Sequence, residues 1–243
     1  IAEMKSLVRQ GVKEFVVVAQ DLTYYGLDLY GNRSLADLLK EMSDVEGVKW
    51  IRLMYAYPAK FPRDILPVIA ERDNICKYLD MPLQHISTNV LKSMRRGITR
   101  RATEELIGVI RDSVPNITLR STFIIGYPNE TEADFDELCE FTSEIKLDRM
   151  GAFLYSQEDD TYSYILGDPI PHEVKEERKQ RLMEIQKGIS LEKNQAKIGT
   201  TIKVLIEENI NGEYQPRSEA DAPEVDNEVF VRSPDVELHP GDF

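Results

Sequence analysis

The stretch that decides the fold runs Asn116-Ile117-Thr118-Leu119-Arg120-Ser121-Thr122-Phe123-Ile124-Ile125-Gly126-Tyr127-Pro128-Asn129-Glu130-Thr131. Its centre is β-branched and apolar, which favours a buried strand. Gly126 and Pro128 then end the strand, because glycine tolerates unusual backbone angles and proline has no amide proton to donate. Thr131 and Asp134 have the spacing of a helix start. The stretch predicts a strand, a loop and a helix, with the loop at the edge where α/β folds bind ligands, although a plain turn explains Gly126 and Pro128 equally well.

Outward from this stretch, apolar strands and amphipathic helices alternate. Strands are predicted at 14–19, 50–56, 78–81, 118–125 and 150–156, and helices at 1–10, 34–42, 65–71, 88–94, 103–114 and 132–145. The run at 14–19 is continuously apolar, as in strands buried on both faces, and Ser34 is predicted to cap the second helix. These spacings suit right-handed crossovers and a parallel sheet. Without a doubly wound fingerprint, the α/β pattern favours a partial parallel (βα) barrel.

A long charged helix from Pro171 to about Ile198 is predicted to join two parts of the chain, with Gly199 as its stop. Glu177 and Arg181 stand four residues apart on it, the spacing of an intrahelical ion pair. The predicted domains are the partial barrel at 1–170, the connecting helix at 171–199 and a small antiparallel β module at 200–243.

The β module is predicted from an alternating strand at 201–207 and from turn signals at Asn211-Gly212 and Asp226-Asn227. It carries 11 acidic and 3 basic residues, a net charge of −8 in a chain of net charge −13. Because phosphate binding is electrostatic, this charge disfavours nucleic acid and suits a basic partner. A merely well-solvated surface is the alternative.

The cysteine content limits the chemistry. Cys76 and Cys139 are the only cysteines, and they can form neither a CxxC pair nor a complete set of cluster ligands. We expect small buried thiols in a reducing compartment, the cytoplasm. The Ser87, Thr122 and Ser156 hydroxyls have no visible His–Asp partnership, which argues against a hydrolase. No Gly-rich phosphate loop and no membrane-length apolar run are present.

Polar and aromatic residues follow three predicted strands, at 20–26, 82–85 and 125–130. A ligand with ribose hydroxyls and an amino-acid end needs carboxamides, arginines and exposed backbone groups at one rim. Gln20, Gln84, Arg52 and Arg120 can supply these groups, although each alone is more often an ordinary loop residue. His85 is a candidate base or metal ligand, but a packed, hydrogen-bonded imidazole is commoner at a strand end. The basic run at 95–101 either binds phosphates or forms a solvated surface.

Several specific motifs stand in order along the chain. They are Ala19-Gln20-Asp21 with Tyr25-Gly26, Trp50 to Pro58, Pro82-Leu83-Gln84-His85, Met94-Arg95-Arg96-Gly97, Phe123 to Thr131 and Phe153-Leu154-Tyr155-Ser156. In these motifs the chain resembles the radical S-adenosylmethionine methylthiotransferases, and its β module resembles that family's TRAM domain. Ala19-Gln20-Asp21 and the segment 217–226 resemble the RimO branch, which modifies an aspartate in the small-subunit ribosomal protein numbered twelve.

The resemblance implies a partial barrel that binds S-adenosylmethionine beside a four-iron cluster. One electron from the cluster would cleave S-adenosylmethionine, and the adenosyl radical would take hydrogen from the aspartate β-carbon. A second, N-terminal cluster would help deliver the methylthio group. The candidate cofactor-binding residues are Gln20, Asp21, Arg52, Gln84, Arg120, Thr122, Gly126 and Tyr155. The candidate contacts with substrate or partner are Tyr25, Tyr57, His85, Glu219, Asp221 and Glu224.

The chain departs from that family in its cluster ligands and in the extent of its domains. The CxxxCxxC triplet of cluster ligands and the N-terminal cluster domain are absent, and the TRAM module looks cut short. We therefore expect an inactive fragment, with no catalytic residue and no metal ligand of its own, that is monomeric and binds a basic ribosomal protein. Two alternatives stay open. A transfer-RNA adenosine methylthiotransferase should carry a basic TRAM surface, and a non-enzymatic docking module would only hold a basic partner.

Overall fold

Five parallel strands form one sheet, and a long helix leads from it to a second, two-stranded sheet. The computed structural model describes residues 1–210, 213–231 and 236–243. The strands are β1 (Glu14–Val17), β2 (Trp50–Leu53), β3 (Ile75–Asp80), β4 (Thr118–Ile125), β5 (Arg149–Leu154), β6 (Val204–Ile210) and β7 (Glu213–Ser218). The helices are α1 (Ala2–Arg9), α2 (Leu27–Tyr30), α3 (Leu35–Ser43), α4 (Ile65–Glu71), α5 (Thr88–Ser93), α6 (Arg100–Ser113), α7 (Glu132–Ile145) and α8 (His172–Ala196). Single 3-10 turns lie at Leu22–Tyr24 and Tyr162–Leu166.

The large sheet has the order of the chain. Strands β1 to β5 lie side by side in sequence, and every neighbouring pair is parallel. The parallel sheet expected from the alternation of strands and helices is therefore confirmed. Strands β6 and β7 pair antiparallel, and Tyr214 adds a bridge to Val231. The described part of the β module is thus a two-stranded sheet with one additional bridge.

The two faces of the large sheet pack against different partners, because successive side chains of a strand point to opposite faces. Ile51, Leu53 and Leu79 point to one face and belong to a continuous apolar core with residues of α3, α4, α6 and α7. Trp50 and Tyr78 belong to a second apolar cluster, which also contains Cys76 and, from the β module, Leu205 and Ala222. The module therefore covers the face opposite the helices.

The decisive stretch folds as its sequence predicts. Strand β4 ends at Ile125, and α7 begins after Thr131 with a reciprocal capping box. The Thr131 side chain accepts from the Asp134 amide, while the Asp134 carboxylate accepts from Thr131. Phe135, Leu138 and Phe141 of α7 are fully buried against the sheet. Both the strand and the helix therefore follow from residues that are close together in the sequence.

Three local predictions are wrong. Val16 and Val18 are exposed, at 41% and 59%, because β1 is an edge strand and this face of it is not covered by a helix. Ser34 occupies the N-cap position of α3, but its side chain makes no capping hydrogen bond. Arg181 reaches across to Glu132 and Asp136 of α7 instead of pairing with Glu177.

The long helix α8 agrees with the helix predicted from the sequence. Helix α8 buries Leu182 and Ile189 and ends shortly before Gly199, whose φ is +82°. The Asn211-Gly212 turn lies outside the described residues, and a turn is present immediately before Asp226. Cys76 and Cys139 are free and buried, as expected. Across the described ranges, no helix combines the length and apolarity needed to cross a membrane.

Candidate functional site

A cavity of about 560 Å³ lies at the carboxyl ends of β3, β4 and β5. Its lining includes Gln84, Thr122 and Tyr155, three of the candidate cofactor-binding residues. The other lining residues are Ser93, Met94, Arg96, Ile124, Tyr127, Phe153, Leu154, Ser156, Glu158, Thr161, Tyr162 and Ser163. In parallel α/β folds ligands bind at this edge of the sheet, and cavities of 300–1,000 Å³ are usual for small ligands.

Gln84 reaches the cavity because the backbone after β3 is pinned to β4. Its amide donates to the Thr122 carbonyl oxygen at 2.9 Å, and its carbonyl accepts from the Ile124 amide at 2.8 Å. Its φ is +71°, in the left-handed region that glutamine rarely adopts. Such conformations persist only where the surroundings impose them, and they are concentrated at functional sites. The pinned backbone fixes the position from which the carboxamide can bind a ligand.

Two tyrosines form an aromatic wall of the cavity. The rings of Tyr127 and Tyr155 stand edge to face, with centroids 5.3 Å apart, and both residues are buried. The Tyr155 hydroxyl donates to the Ser163 carbonyl oxygen at 3.2 Å, which ties the wall to the 3-10 turn over the cavity. Edge-to-face pairs hold their geometry because the ring edge of one meets the electron-rich face of the other. The wall is therefore rigid and apolar.

The loop after β4 is held against α8 by Gly126. Its φ is +76°, and a Cβ atom there would lie 2.4 Å from Cγ of Lys175. The Lys175 ammonium in turn donates to the Tyr155 carbonyl oxygen at 3.1 Å and pairs with Asp168 at 2.5 Å. Only glycine fits this conformation and this spacing. Gly126 therefore lets α8 pack directly under the strand ends that form the cavity.

A buried carboxylate organises the same loop. Glu130 Oε2 accepts from the Gly126 amide at 2.9 Å, and Oε1 pairs with Arg178 of α8 at 2.7 Å. The His85 Nδ1 atom accepts from the Ser87 amide at 3.0 Å, and the Nε2 atom lies 3.4 Å from the Glu130 carboxylate. His85 is fully buried. Its imidazole is thus a packed structural group, out of reach of a substrate or partner.

Arg52 and Arg120 lie away from this cavity, on the face that carries the β module. Arg52 pairs with Glu14 at 2.8 Å and donates to the Glu219 carbonyl oxygen at 2.7 Å. Arg120 pairs with Asp80 at 2.8 Å and lies 3.4 Å from Asp226. Both guanidinium groups are thus engaged by carboxylates and by the module.

Two of the candidate partner residues are turned inward in the same interface. Asp221 is 2% exposed and pairs with Arg149 at 2.6 Å. The Glu219 carboxylate accepts from the Lys77 amide. Burial, followed by the Asp226 carboxylate 2.7 Å away, raises the pKa of Tyr78 far above its ordinary value. Burial also raises the pKa of the neighbouring Cys76 thiol to about 12, so that thiol stays neutral.

The remaining candidates do not line this cavity. Gln20 is exposed, and Asp21 accepts from the Thr23 amide at 2.9 Å and so starts the 3-10 turn. Tyr25 packs against the core, and Glu224 is exposed on the module. Among the cofactor candidates, the cavity thus brings together Gln84, Thr122 and Tyr155, with Gly126 packed behind its wall.

The sequence reasoning missed Arg96, which lies in the basic run at 95–101 and lines the cavity. The Tyr57 hydroxyl donates to the Arg96 carbonyl oxygen at 2.5 Å, and the guanidinium stacks on the Tyr57 ring at 4.4 Å from its centroid. Burial lowers the pKa of Arg96 from its ordinary value. A run of arginines in sequence does not reveal that one of them turns inward.

Comparison with known proteins agrees with this geometry. Residues 1–142, more than half of the chain, match the family model described as the Radical SAM superfamily. The chain belongs to the radical SAM superfamily. Residues 198–243 match the model of the TRAM domain, which covers the β module.

Curated relatives are similar over the whole chain. The ribosomal protein uS12 methylthiotransferase RimO of Cytophaga hutchinsonii is 57% identical over 243 residues, which is 100% of this chain and 56% of that protein. The protein of the same name from Parabacteroides distasonis is 50% identical, with the same two shares. The chain therefore spans little more than half the length of these relatives. The solved structure of coproporphyrinogen III oxidase (HemN) from Escherichia coli, a radical SAM enzyme, shares the fold with a TM-score of 0.58 and 14% identity, over 89% of this chain and 58% of that one.

An iron–sulfur cluster does not fit this radical SAM chain. A four-iron cluster is held by several thiolates, and the two cysteines of the sequence are both buried, one under the β module and one on α7. Among the residues that the structure describes, no group of three His, Cys, Asp or Glu side chains could hold a metal ion. The residues of this chain therefore supply a cavity but no cluster site.

Proposed function

We propose that this chain is part of a methylthiotransferase that modifies an aspartate of ribosomal protein uS12 by radical S-adenosylmethionine chemistry. The observation that carries the proposal is the 57% identity to a uS12 methylthiotransferase over all 243 residues, the sheet and the module alike. A fold-level likeness alone would leave the reaction open, because radical SAM folds host many activities.

The cavity at the ends of β3 to β5 is the proposed site for S-adenosylmethionine. When bound, S-adenosylmethionine supplies the carbon radical that removes hydrogen from the substrate. The walls of Tyr127, Tyr155 and Ile124 suit an adenine ring, and Gln84 and Thr122 can hydrogen-bond ribose hydroxyls. In this assignment the chain's residues bind and orient the nucleoside and keep water from it.

Binding of 5′-methylthioadenosine, which carries the adenine, the ribose and a methylthio group but no amino-acid end, tests the cavity without a cluster. We expect saturable binding by calorimetry to the whole chain, weakened several-fold by Q84A and by T122V, because each removes a hydrogen bond worth about 1 kcal/mol. E224Q, on the exposed module surface, is the matched control and should bind as the parent does. Absence of binding, or equal losses in the control, would remove the site from this cavity.

The fragment is proposed to be inactive by itself. Reconstituted with iron and sulfide, it should show no four-iron absorbance and should form no deoxyadenosine from S-adenosylmethionine. The reason is the lack of a thiolate set in the sequence. Robust deoxyadenosine formation by this chain would contradict that account.

The proposed partner is a basic ribosomal protein, bound through the acidic β module. A groove of about 390 Å³ on the module is lined by acidic residues, among them the exposed Glu207, Glu208, Glu224 and Glu228. Transfer RNA is disfavoured by the same sign of charge. Affinity of the whole chain for uS12 should fall as salt rises and should fall again in E208Q/E228Q, whereas tighter binding to transfer RNA would favour the RNA-modifying branch.

The domain division and the cellular setting also belong to this proposal. A barrel part at 1–170, a connecting helix at 171–199 and a TRAM-like module at 200–243 agree with α8, which ends at Ala196, and with β6, which starts at Val204. We expect a monomer in the cytoplasm, where ribosomal proteins are modified. A sedimentation experiment measures the first of these two expectations directly.

A further inference from the structure

A second cavity, of about 680 Å³, lies at the opposite edge of the large sheet, where β4 and β5 begin. Thr118 and Arg149, the first residues of these strands, line it together with the carboxyl-terminal parts of α6, α7 and α8 and with Ala220 of the β module. This second cavity is separate from the one proposed for S-adenosylmethionine. What it binds therefore does not depend on the proposed function.

The second cavity is basic, although the chain is strongly acidic. Its lining contains five basic and three acidic side chains, whereas the whole chain has a net charge of −13. Three of the basic side chains are matched by a carboxylate at 2.6–2.7 Å: Lys146 by Glu192, Lys193 by Asp148 and Arg149 by Asp221. The third acidic residue of the lining, Glu144, is engaged by Arg100, which is not part of the lining. Two cations of the lining are thus left without a carboxylate.

The first of these cations is Arg111, near the end of α6. One of its terminal nitrogens donates to the carbonyl oxygens of Ile145 and Lys146, at 2.8 and 3.2 Å, which satisfies the end of α7. Its Nε atom and its other terminal nitrogen make no hydrogen bond to any residue that the structure describes. The guanidinium is therefore held in place by one nitrogen and keeps donors for a ligand.

The second cation is Lys197, at the end of α8 and one turn beyond Lys193. Its ammonium has neither a hydrogen bond nor an ion pair within the described ranges. Partial desolvation, followed by the charge of Arg149, lowers the pKa of Lys197 from its ordinary value. Lys193 holds Asp148 of the turn between α7 and β5, and Arg111 holds the carbonyl oxygens where the same turn begins. The two unpaired cations therefore flank one turn.

Two unpaired cations favour a ligand with more than one negative charge. A phosphate monoester carries about −1.5 to −2 charges at pH 7 and offers three acceptor oxygens, whereas a carboxylate carries one charge. A guanidinium binds phosphate oxygens as a planar fork, and an ammonium binds them as a point charge. The cavity has the size of a small-ligand site, and the net charge of the chain repels a long polyanion.

We propose that this second cavity binds a small phosphate monoester through Arg111 and Lys197. The ligand would connect the end of α6 to the end of α8, from which the chain continues into the β module. It would supply the negative charge that neither cation finds within the chain.

The test compares uridine 5′-monophosphate with uridine, because the two differ in the phosphate alone. Affinities for the whole chain are measured by calorimetry at constant ionic strength, for the parent, R111Q, K197Q and K187Q. K187Q is the matched control, because Lys187 is exposed on the same helix and does not line the cavity. Inorganic phosphate and an RNA of ten uridines are titrated in parallel.

We expect saturable binding of uridine 5′-monophosphate and of inorganic phosphate, and no binding of uridine. R111Q and K197Q should each weaken uridine 5′-monophosphate about tenfold, since a charge-assisted hydrogen bond is lost, and K187Q should not change it. Because Arg111 also caps α7, R111Q can fail to fold. K197Q, which removes no hydrogen bond or ion pair between described residues, then decides the outcome alone.

Four results would overturn the proposal. They are no binding of either small phosphate, equal binding of uridine, an unchanged affinity in K197Q, and a loss of affinity in Q84A, which would place the ligand in the cavity at the other edge of the sheet. Binding of the RNA without binding of uridine 5′-monophosphate would also contradict it, because the cations would then serve an RNA backbone and not a small ligand.

Discussion

The ion pair between Arg178 and Glu130 joins α8 to the loop that shapes the cavity, and it is shielded from water on both sides. The Arg178 side chain is 7% exposed and that of Glu130 is fully buried, with 2.7 Å between NH1 and Oε1. One turn along the same helix, Arg181 makes similar pairs with Glu132 and Asp136, but its side chain is 42% exposed. The two arginines therefore differ mainly in burial, which makes them a matched pair for substitution.

R178M is expected to lower the free energy of unfolding by about 3–5 kcal/mol, because it leaves the Glu130 carboxylate buried without a cation. R181M should cost at most about 1 kcal/mol, since exposed pairs are screened by water and salt. The double variant R178M/E130Q should recover most of the loss. The amide oxygen of the new glutamine can still accept from Gly126, while the buried charge is gone.

Urea unfolding followed by fluorescence measures these differences, with Trp50, the one tryptophan of the sequence, as the probe. Trp50 is 2% exposed between the sheet and the module, so its emission reports on both. The slope of the unfolding curve should be the same for all variants. Equal losses in R178M and R181M, or no recovery in the double variant, would refute the assignment of the cost to an unpaired buried carboxylate.

Three further substitutions test other parts of the structure. G126A should lose about 1–3 kcal/mol in urea unfolding because of its positive φ and the contact with Lys175, whereas G188A, where a Cβ meets nothing within 4 Å in α8, should gain up to about 1 kcal/mol. D221N should destabilise by about 3 kcal/mol and shift Trp50 emission to the red, because it unpairs Arg149 under the module, and the exposed E224Q should do neither. Burial would raise the pKa of Asp134, but hydrogen bonds from Ser87 and Thr131 outweigh it and hold the pKa below its ordinary value. The stability from Asp134 is therefore fully present above about pH 4 and is lost as the pH falls through the folded-state pKa, so D134N should show a shallower loss of stability in acid.

Residues whose roles depend on local sequence could be predicted. The capping box at Thr131 and Asp134, the end of β4 before Gly126 and the buried stripe of α7 depend on residues a few positions apart. Gln84 was found for a similar reason, because a polar residue that directly follows a buried strand must lie at the sheet edge. These features need no knowledge of what else packs on the sheet.

The sequence analysis assigned Arg52 and Arg120 to the rim of the site, although both residues lie within their strands and not after them. Arg120 lies two residues before Thr122, which lines the cavity, and at about 3.3 Å per residue its Cα stands roughly 7 Å short of it along β4. The sequence pattern indicates which face a side chain takes but not how much of that face another domain covers. Here the β module covers it, and Asp226 approaches Arg120 from a distance of more than 100 residues along the chain. No local pattern contains that contact.

The interface between the large sheet and the β module also affects how the module's acidic residues are interpreted. From the sequence, all acidic residues at 200–243 count alike toward a docking surface, yet Glu219, Asp221 and Asp226 are engaged by Lys77, Arg149 and Tyr78 of the sheet. The acidity is thus divided between holding the module in place and presenting a charged surface. Salt acts on the two parts unequally, because buried pairs are screened far less than exposed carboxylates. A fall in partner affinity with salt at constant Trp50 emission therefore belongs to the exposed groove, whereas a fall accompanied by a change in emission would mean that the module itself has left the sheet.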